Sequence, residues 1–447
     1  MSTTACSDGP FDTHILYKTL HIHAPANHSR WTKRFLNLSD SLISLFIVAP
    51  LVIAYWRGTW GCMDEYPHIY PATNCFIFGM AIHCCCCILR ELLHPKCDMM
   101  KKLSKFSTIG TVHVFFMKKA YTYLFSIGCI MHWRGGWAVA TNLLGPEAEP
   151  AVLLSLVCFI PLVMMRSVRN LVAPPVLIIT DSKEFAFNFP TRYRIDGTRE
   201  PGLYIFDCLF SVLVIGSLVV FVWRGLWVLL DLKLFPEDAT VSAWASLIIG
   251  YAIVGITFSM QPIMKWACEK LEGFWRIIIA DIFLFVSFIG TVNVWRGIWA
   301  LLDIYFLPEN KLLSDWLTHG VSLVLLILLN CSNSVLVRGV YIDAEEPAGQ
   351  CVIFPVYYIR LFFQKERTKK QKRLNETTDR IDHNNTVLLI EKPQMNHSLC
   401  DSDMKVKTTK VVNIPDDVKL TSNEFSNDSD TLNENSNDEH RILCDDE

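Results

Sequence analysis

WRGLWVLLDLKLFPED at residues 223–238 and WRGIWALLDIYFLPEN at residues 295–310 are nearly one sequence written twice, and WRGGW at 133–137 and WRGTW at 56–60 open two further copies. Each copy closes a long apolar run, and the four together hold eight of the 13 tryptophans. A pentapeptide of two Trp, an Arg and a Gly that recurs four times marks an internal repeat. Eight positions after the first Trp stands an acid in three copies (Asp64, Asp231, Asp303) and Thr141 in the second. A Pro-Glu pair follows in three copies (Pro146-Glu147, Pro236-Glu237, Pro308-Glu309). The repeating unit is therefore an apolar segment, the motif, a short acidic loop and a second apolar segment.

With 51% hydrophobic and 19% charged residues the chain lies outside the range of a soluble globular protein. Residues 42–55, 72–93, 120–132, 151–165, 203–222, 241–264, 277–294 and 316–337 are predicted as membrane-spanning helices. The first, third and fourth are short, and the first and third approach the needed length by running into their motifs, where Trp and a snorkelling Arg suit a membrane boundary. The predicted fold is all-α: a polytopic membrane protein of eight transmembrane helices, built as four tandem parallel two-helix repeats. The repeats cover about 39–95, 112–170, 203–265 and 276–338 within a transmembrane domain at 39–340. Residues 1–38 are polar and carry no cleavable leader, so they form a cytosolic segment and the first span is its own insertion signal.

Lys and Arg crowd the loops after the even-numbered spans. The opposite loops carry six basic residues, four of them motif arginines, beside ten acids. The positive-inside rule then sets both termini in the cytosol and all four motifs at the outer surface. Sequons at Asn27, Asn375, Asn384, Asn396 and Asn427 fall on the cytosolic side and should stay unglycosylated. Residues 341–374 form a juxtamembrane segment: 350–364 is apolar, aromatic and broken by Pro355, which reads as interfacial. It runs into Lys365, Arg367, Lys369, Lys370, Lys372 and Arg373, a cluster suited to anionic lipid on the cytosolic leaflet, or simply a stop-transfer signal. Residues 375–447, rich in Asn, Asp, Ser and Thr, read as a disordered cytosolic tail.

The motif residues are Trp56, Arg57, Gly58 and Trp60; Trp133, Arg134, Gly135 and Trp137; Trp223, Arg224, Gly225 and Trp227; and Trp295, Arg296, Gly297 and Trp299. An aromatic belt explains single Trp and Arg residues but not the Gly, which either admits another backbone or ends the helix. The Arg has three options: stacking on Trp, pairing with the Asp seven residues on in its own copy, or holding a lipid phosphate. A structural role fixing each helix pair is the plainer reading; a ring of four arginines lining an outer mouth is the alternative.

Asp40 and Asp207 stand sixteen residues before their motif Trp and Asp281 fourteen before, whereas the second copy has Lys118 and Lys119 in that zone. Acids at the edge of a span are candidate ion sites or proton carriers. Pairing with Lys118, Arg166, Arg169 or Arg276 at the inner interface is the plainer alternative. The run Cys84 to Cys87 after His83 points in four directions on a helix, so it suits small apolar packing, or S-palmitoylation, rather than a metal. Cys62 and Cys75 read as free thiols. No Walker loop, zincin pair, nucleophile elbow or dinucleotide fingerprint occurs, so no enzyme activity, cofactor or nucleic-acid partner is expected.

WRGTW, WRGGW, WRGLW and WRGIW, with eight spans and cytosolic ends, resemble the fuseless family of invertebrate multi-pass membrane proteins over roughly residues 38–364. The resemblance implies a non-enzymatic neuronal protein of the presynaptic plasma membrane, acting in synaptic transmission by organising presynaptic calcium channels or their scaffold. A channel or transporter is the competing class, since parallel repeats are a common transporter architecture. Convergence of Asp40, Asp207, Asp281 and Asn293 on one water-accessible path would favour it.

Overall fold

The computed structural model describes residues 30–359 apart from 105–107, 146, 182–186, 188, 346–347 and 357. The basic cluster at 365–373, the tail and the sequons lie outside the described residues. The elements are α1 (Arg30–Ile43), a π-helical stretch (Ser44–Val48), α2 (Ala49–Asp64), α3 (Ala72–Ser104), α4 (Thr108–Leu144), α5 (Ala148–Met164), α6 (Pro201–Leu209), a second π stretch (Phe210–Gly216), α7 (Ser217–Lys233), α8 (Ala239–Lys270), α9 (Gly273–Tyr305) and α10 (Lys311–Leu328). Short 3-10 turns follow α5 (Val168–Leu171) and α10 (Ser332–Val335). The fold is all-helical, with no strand among the described residues.

Among the described residues six helices are long and apolar enough to cross a membrane: Arg34–Asp64, Ala72–Leu93, Pro201–Lys233, Ala239–Lys270, Gly273–Tyr305 and Lys311–Leu328. The apolar α5 is shorter, at 17 residues. The third predicted span of thirteen residues is instead part of the 37-residue α4, which carries Lys118 and Lys119 within the helix. The eighth predicted span is too long at its end: α10 stops at Leu328, Asn330 takes a left-handed conformation (φ 59°), and Ser332–Val335 turns as a 3-10 helix. Asn330, Ser332, Asn333 and Ser334 are the reason, because short polar side chains compete for the backbone and favour turns.

The motif helices α2, α4, α7 and α9 form an inner ring, while α3, α5, α8 and α10 lie outside it. The outer helices turn Ile77, Phe78, Leu153, Ile160, Ile248, Ile256, Val324 and Leu328 outward and exposed. That continuous apolar surface matches hydrocarbon as solvent. The closely packed pairs do not come from within one repeat, as the sequence reading supposed. α4 packs on α3, α7 on α5 and α9 on α8; α2 packs on α10, so the first copy closes against the last.

The motif glycines explain this pairing. A Cβ at Gly58 would lie 2.4 Å from the Asp315 carbonyl oxygen, at Gly135 2.2 Å from the Phe76 amide nitrogen, at Gly225 2.3 Å from Ser155 Cβ, and at Gly297 2.7 Å from the Leu247 amide nitrogen. Only Gly permits backbones this close, and in each case the neighbour is the outer helix of the preceding copy.

Two straps, following α5 and α10, are locked reciprocally. Asp343 accepts the amides of Val168 (2.6 Å) and Arg169 (2.8 Å) at the start of one 3-10 turn, and its own amide donates to the Arg166 carbonyl (2.8 Å). Asp181 accepts the amides of Ser332 (3.0 Å) and Asn333 (2.7 Å) at the other, and its amide donates to the Asn330 carbonyl (2.7 Å). Each strap thus caps the other, giving the fourfold ring a twofold base. Cys351, Val352, Phe354 and Val356, read from sequence as interfacial, are buried in the core beside it.

Candidate functional site

Trp56, Trp133, Trp223 and Trp295 stand at the same register on the four inner helices and touch edge to face around a closed square. The ring centroids are 5.4 Å apart for 56 and 133, 5.5 Å for 133 and 223, 5.6 Å for 223 and 295, and 5.6 Å for 295 and 56. Four residues on, one helical turn, Trp60, Trp137, Trp227 and Trp299 repeat the square at 6.0, 5.7, 6.0 and 5.8 Å. Edge-to-face contact suits the aromatic quadrupole, so each square is self-stabilising. The indole N–H of Trp56 donates to the Val335 carbonyl (2.9 Å), that of Trp223 to Leu171 (2.9 Å) and that of Trp295 to Pro174 (2.7 Å). These bonds seat the lower square on the straps.

Between the squares lies a cavity of about 190 Å³ lined by the eight tryptophans and Ala173. The sequence showed the repeat but not that all eight rings share one space. The signal available was the i, i+4 spacing in every copy, which puts both indoles of a motif on one face. Ala173 carried no signal at all.

The motif arginines are buried, and each reaches the eighth-position residue of the preceding copy, so the Asp of its own copy, one of the three options for the Arg, is not its partner. Arg134 Nε meets Asp64 at 2.7 Å, Arg296 meets Asp231 at 2.7 Å, and Arg57 meets Asp303 at 2.8 Å and Asp315 at 3.2 Å. Arg224 finds Thr141 Oγ1 at 3.2 Å and the Gly145 carbonyl at 3.1 Å, and its Nη1 has no partner among the described residues. Arg296 and Arg57 send further donors to the outer helix: Arg296 to Ser246 Oγ (2.6 Å) and Ser242 Oγ (2.7 Å), Arg57 to Ser314 Oγ (3.1 Å). A planar five-donor fork is what this arrangement requires.

The three candidate acids do not converge. Asp40 accepts the amides of Tyr358 (3.1 Å) and Ile359 (2.6 Å); Asp207 accepts those of Tyr193 (2.9 Å) and Ile195 (3.2 Å). Asp281 sets its carboxyl against Asp343, near Arg166. Burial pushes the Asp343 carboxyl up to about 6, opposed by the Arg169 and Val168 amides and by Arg169 and Arg166. Lys119 bonds Asp181 and Ser332 Oγ (2.9 Å) at the matching place in the second copy. Asn293 Nδ2 donates to the Ile289 carbonyl within its own helix (2.9 Å). A second cavity, of about 100 Å³, is bounded by the straps, His83, Ser211 and Ser334 and excludes all four of the side chains a transport path was expected to need. In the cysteine run, Cys84, Cys86 and Cys87 are buried and Cys85 is exposed.

Fold and site together define a helical membrane protein built around a fourfold tryptophan ring with interlocked Arg pairs. The sequence model of the Fuseless family matches residues 35–336, and the chain belongs to that family. Searches of curated proteins and of solved structures returned no match.

Proposed function

We propose that the chain is a non-enzymatic multi-pass protein of the presynaptic plasma membrane that organises other membrane proteins there, such as voltage-gated calcium channels, and so supports synaptic transmission. In this reading eight helices cross the bilayer as four two-helix repeats. Both termini are cytosolic, and the basic cluster at 365–373 contacts anionic lipid. Membership of the Fuseless family supports the setting. One observation carries the choice over a channel or transporter: Asp40 and Asp207 are consumed in holding backbone amides, so neither is offered to a moving ion.

The test has two parts. Expression in neurons lacking the protein should restore evoked release, and proximity labelling from the tail should mark calcium channel subunits. Purified protein in liposomes should carry no current or solute flux. Saturable flux in liposomes, without channel labelling, would transfer the assignment to the transporter class.

A further inference from the structure

We infer that the double tryptophan square is an aromatic cage for a small organic cation of the alkylated ammonium type. In a square with sides of 5.4 to 5.6 Å the centre lies about 4 Å from each centroid, within the roughly 6 Å reach of a cation–π contact. An indole standing edge-on at that distance would fill the centre. A cavity lined by all eight rings is present instead, so part of each indole's π surface borders the shared space. The second square repeats the arrangement one turn away.

The lining selects against other ligands. Three lower indole N–H groups are spent on strap carbonyls, so the cavity presents almost no hydrogen-bonding partner to a sugar, an anion or an ordered water cluster. An alkylated ammonium needs none, and its weak hydration makes transfer into the cage inexpensive.

Charge then separates a cation from a neutral apolar guest. One turn above the upper square, on the same helix faces, stand Asp64, Thr141, Asp231 and Asp303. The three carboxylates are nearly half exposed, at 44%, 49% and 46%, although each also holds an arginine. Asp64 and Thr141 line a neighbouring hollow together with Trp60, Trp137 and Arg134. The loops on this side carry ten acids against six bases, four of which are the buried arginines, so the approach to the cage is negative and concentrates soluble cations.

The experiment uses the full chain in nanodiscs of phosphatidylglycerol, which contain no choline headgroup, and follows tryptophan fluorescence, since eight of the 13 tryptophans report on the cage. Tetramethylammonium chloride should give a saturable change that sodium chloride at equal ionic strength does not. The neutral isostere 3,3-dimethylbutanol should bind at least tenfold more weakly. Ala173→Phe, which fills the floor, and Trp227→Leu, which removes one wall, should each raise the tetramethylammonium midpoint at least tenfold while a melting curve shows a folded protein. An equal response to the neutral alcohol, a fatty-acid response in place of the cation response, or no saturable response overturns the proposal. If both variants fail to fold, the comparison of cation with alcohol on the unmodified protein decides. In phosphatidylcholine nanodiscs an unchanged midpoint is expected for a soluble cation; a midpoint raised by competition assigns the cage to a choline headgroup and overturns the soluble source.

Discussion

The guanidinium of Arg296 meets the carboxylate of Asp231 at 2.7 Å across the boundary between the fourth and third copies of the motif. The same step relates Arg134 to Asp64, Arg224 to Thr141 and Arg57 to Asp303, so the last copy holds the first. A chain of pairs would leave two open ends; a ring leaves none. Arg57, Arg134 and Arg296 also bond the outer helix that the neighbouring Gly admits, so Arg and Gly act on one contact.

Arg296→Lys should therefore weaken the fold. An ammonium can replace the Asp231 contact but not the simultaneous bonds to Ser242 and Ser246, so both buried hydroxyls lose an Arg296 donor. A loss of about 2–4 kcal/mol is expected, read as a lower melting temperature in detergent and less protein at the cell surface. Unchanged melting would reduce the motif to an aromatic belt.

Thr141→Asp should act in the opposite direction. The second copy alone lacks the eighth-position acid, so Arg224 Nε meets the Thr141 hydroxyl where the other three arginines meet a carboxylate. A carboxylate at the site completes the fourth pair, and a gain of about 1 kcal/mol is expected because the pair is part exposed. The measurement is the same melting curve, and a lowered midpoint would argue against the ring model.

How far the sequence could lead is clear from these residues. The motif, its i, i+4 tryptophans, the acid eight positions on and its replacement by Thr141 were all legible, because they lie within one helix and its loop. The partner copy is not legible: periodicity gives the face of a helix but not the identity of its neighbour, so nothing in the sequence points Arg57 to Asp303. The end of α10 was misread for a different reason, since 316–337 is apolar on average and the polar run from Asn330 was averaged away. The reciprocal caps of Asp343 and Asp181 join residues more than 150 positions apart, and no local pattern marks them.

Gly135→Ala should prise two helices apart. The added Cβ would meet the Phe76 amide nitrogen at 2.2 Å, and backbone cannot step aside as a side chain can. A destabilisation of about 3 kcal/mol is expected. Gly320→Ala is the control: nothing lies within 4 Å of its Cβ, and replacing a helical Gly should stabilise by roughly 0.5–1 kcal/mol. If both substitutions behave alike, close backbone approach is not what the motif Gly provides.

Lys119 and Asp281 occupy one register, fourteen residues before Trp133 and Trp295. Lys119 faces Asp181 as an ion pair, while Asp281 faces Asp343 as a second acid. Asp281→Lys should rebuild the ion pair of the second copy and raise stability at pH 7.5 by about 1–2 kcal/mol. The pH dependence follows in sign. The Asp343 carboxyl is pushed above the ordinary carboxylate value, to about 6 in the folded protein. Between roughly pH 4 and 6 the folded state then binds the extra proton, and the unfavourable contribution present above 6 disappears as pH falls through this window. The advantage of Asp281→Lys over the unmodified protein should be largest above pH 6 and shrink towards pH 4, where a protonated Asp343 no longer attracts the lysine. Melting curves of both proteins from pH 4 to 8 give the difference directly, and an advantage that grows on acidification would refute the paired-acid account.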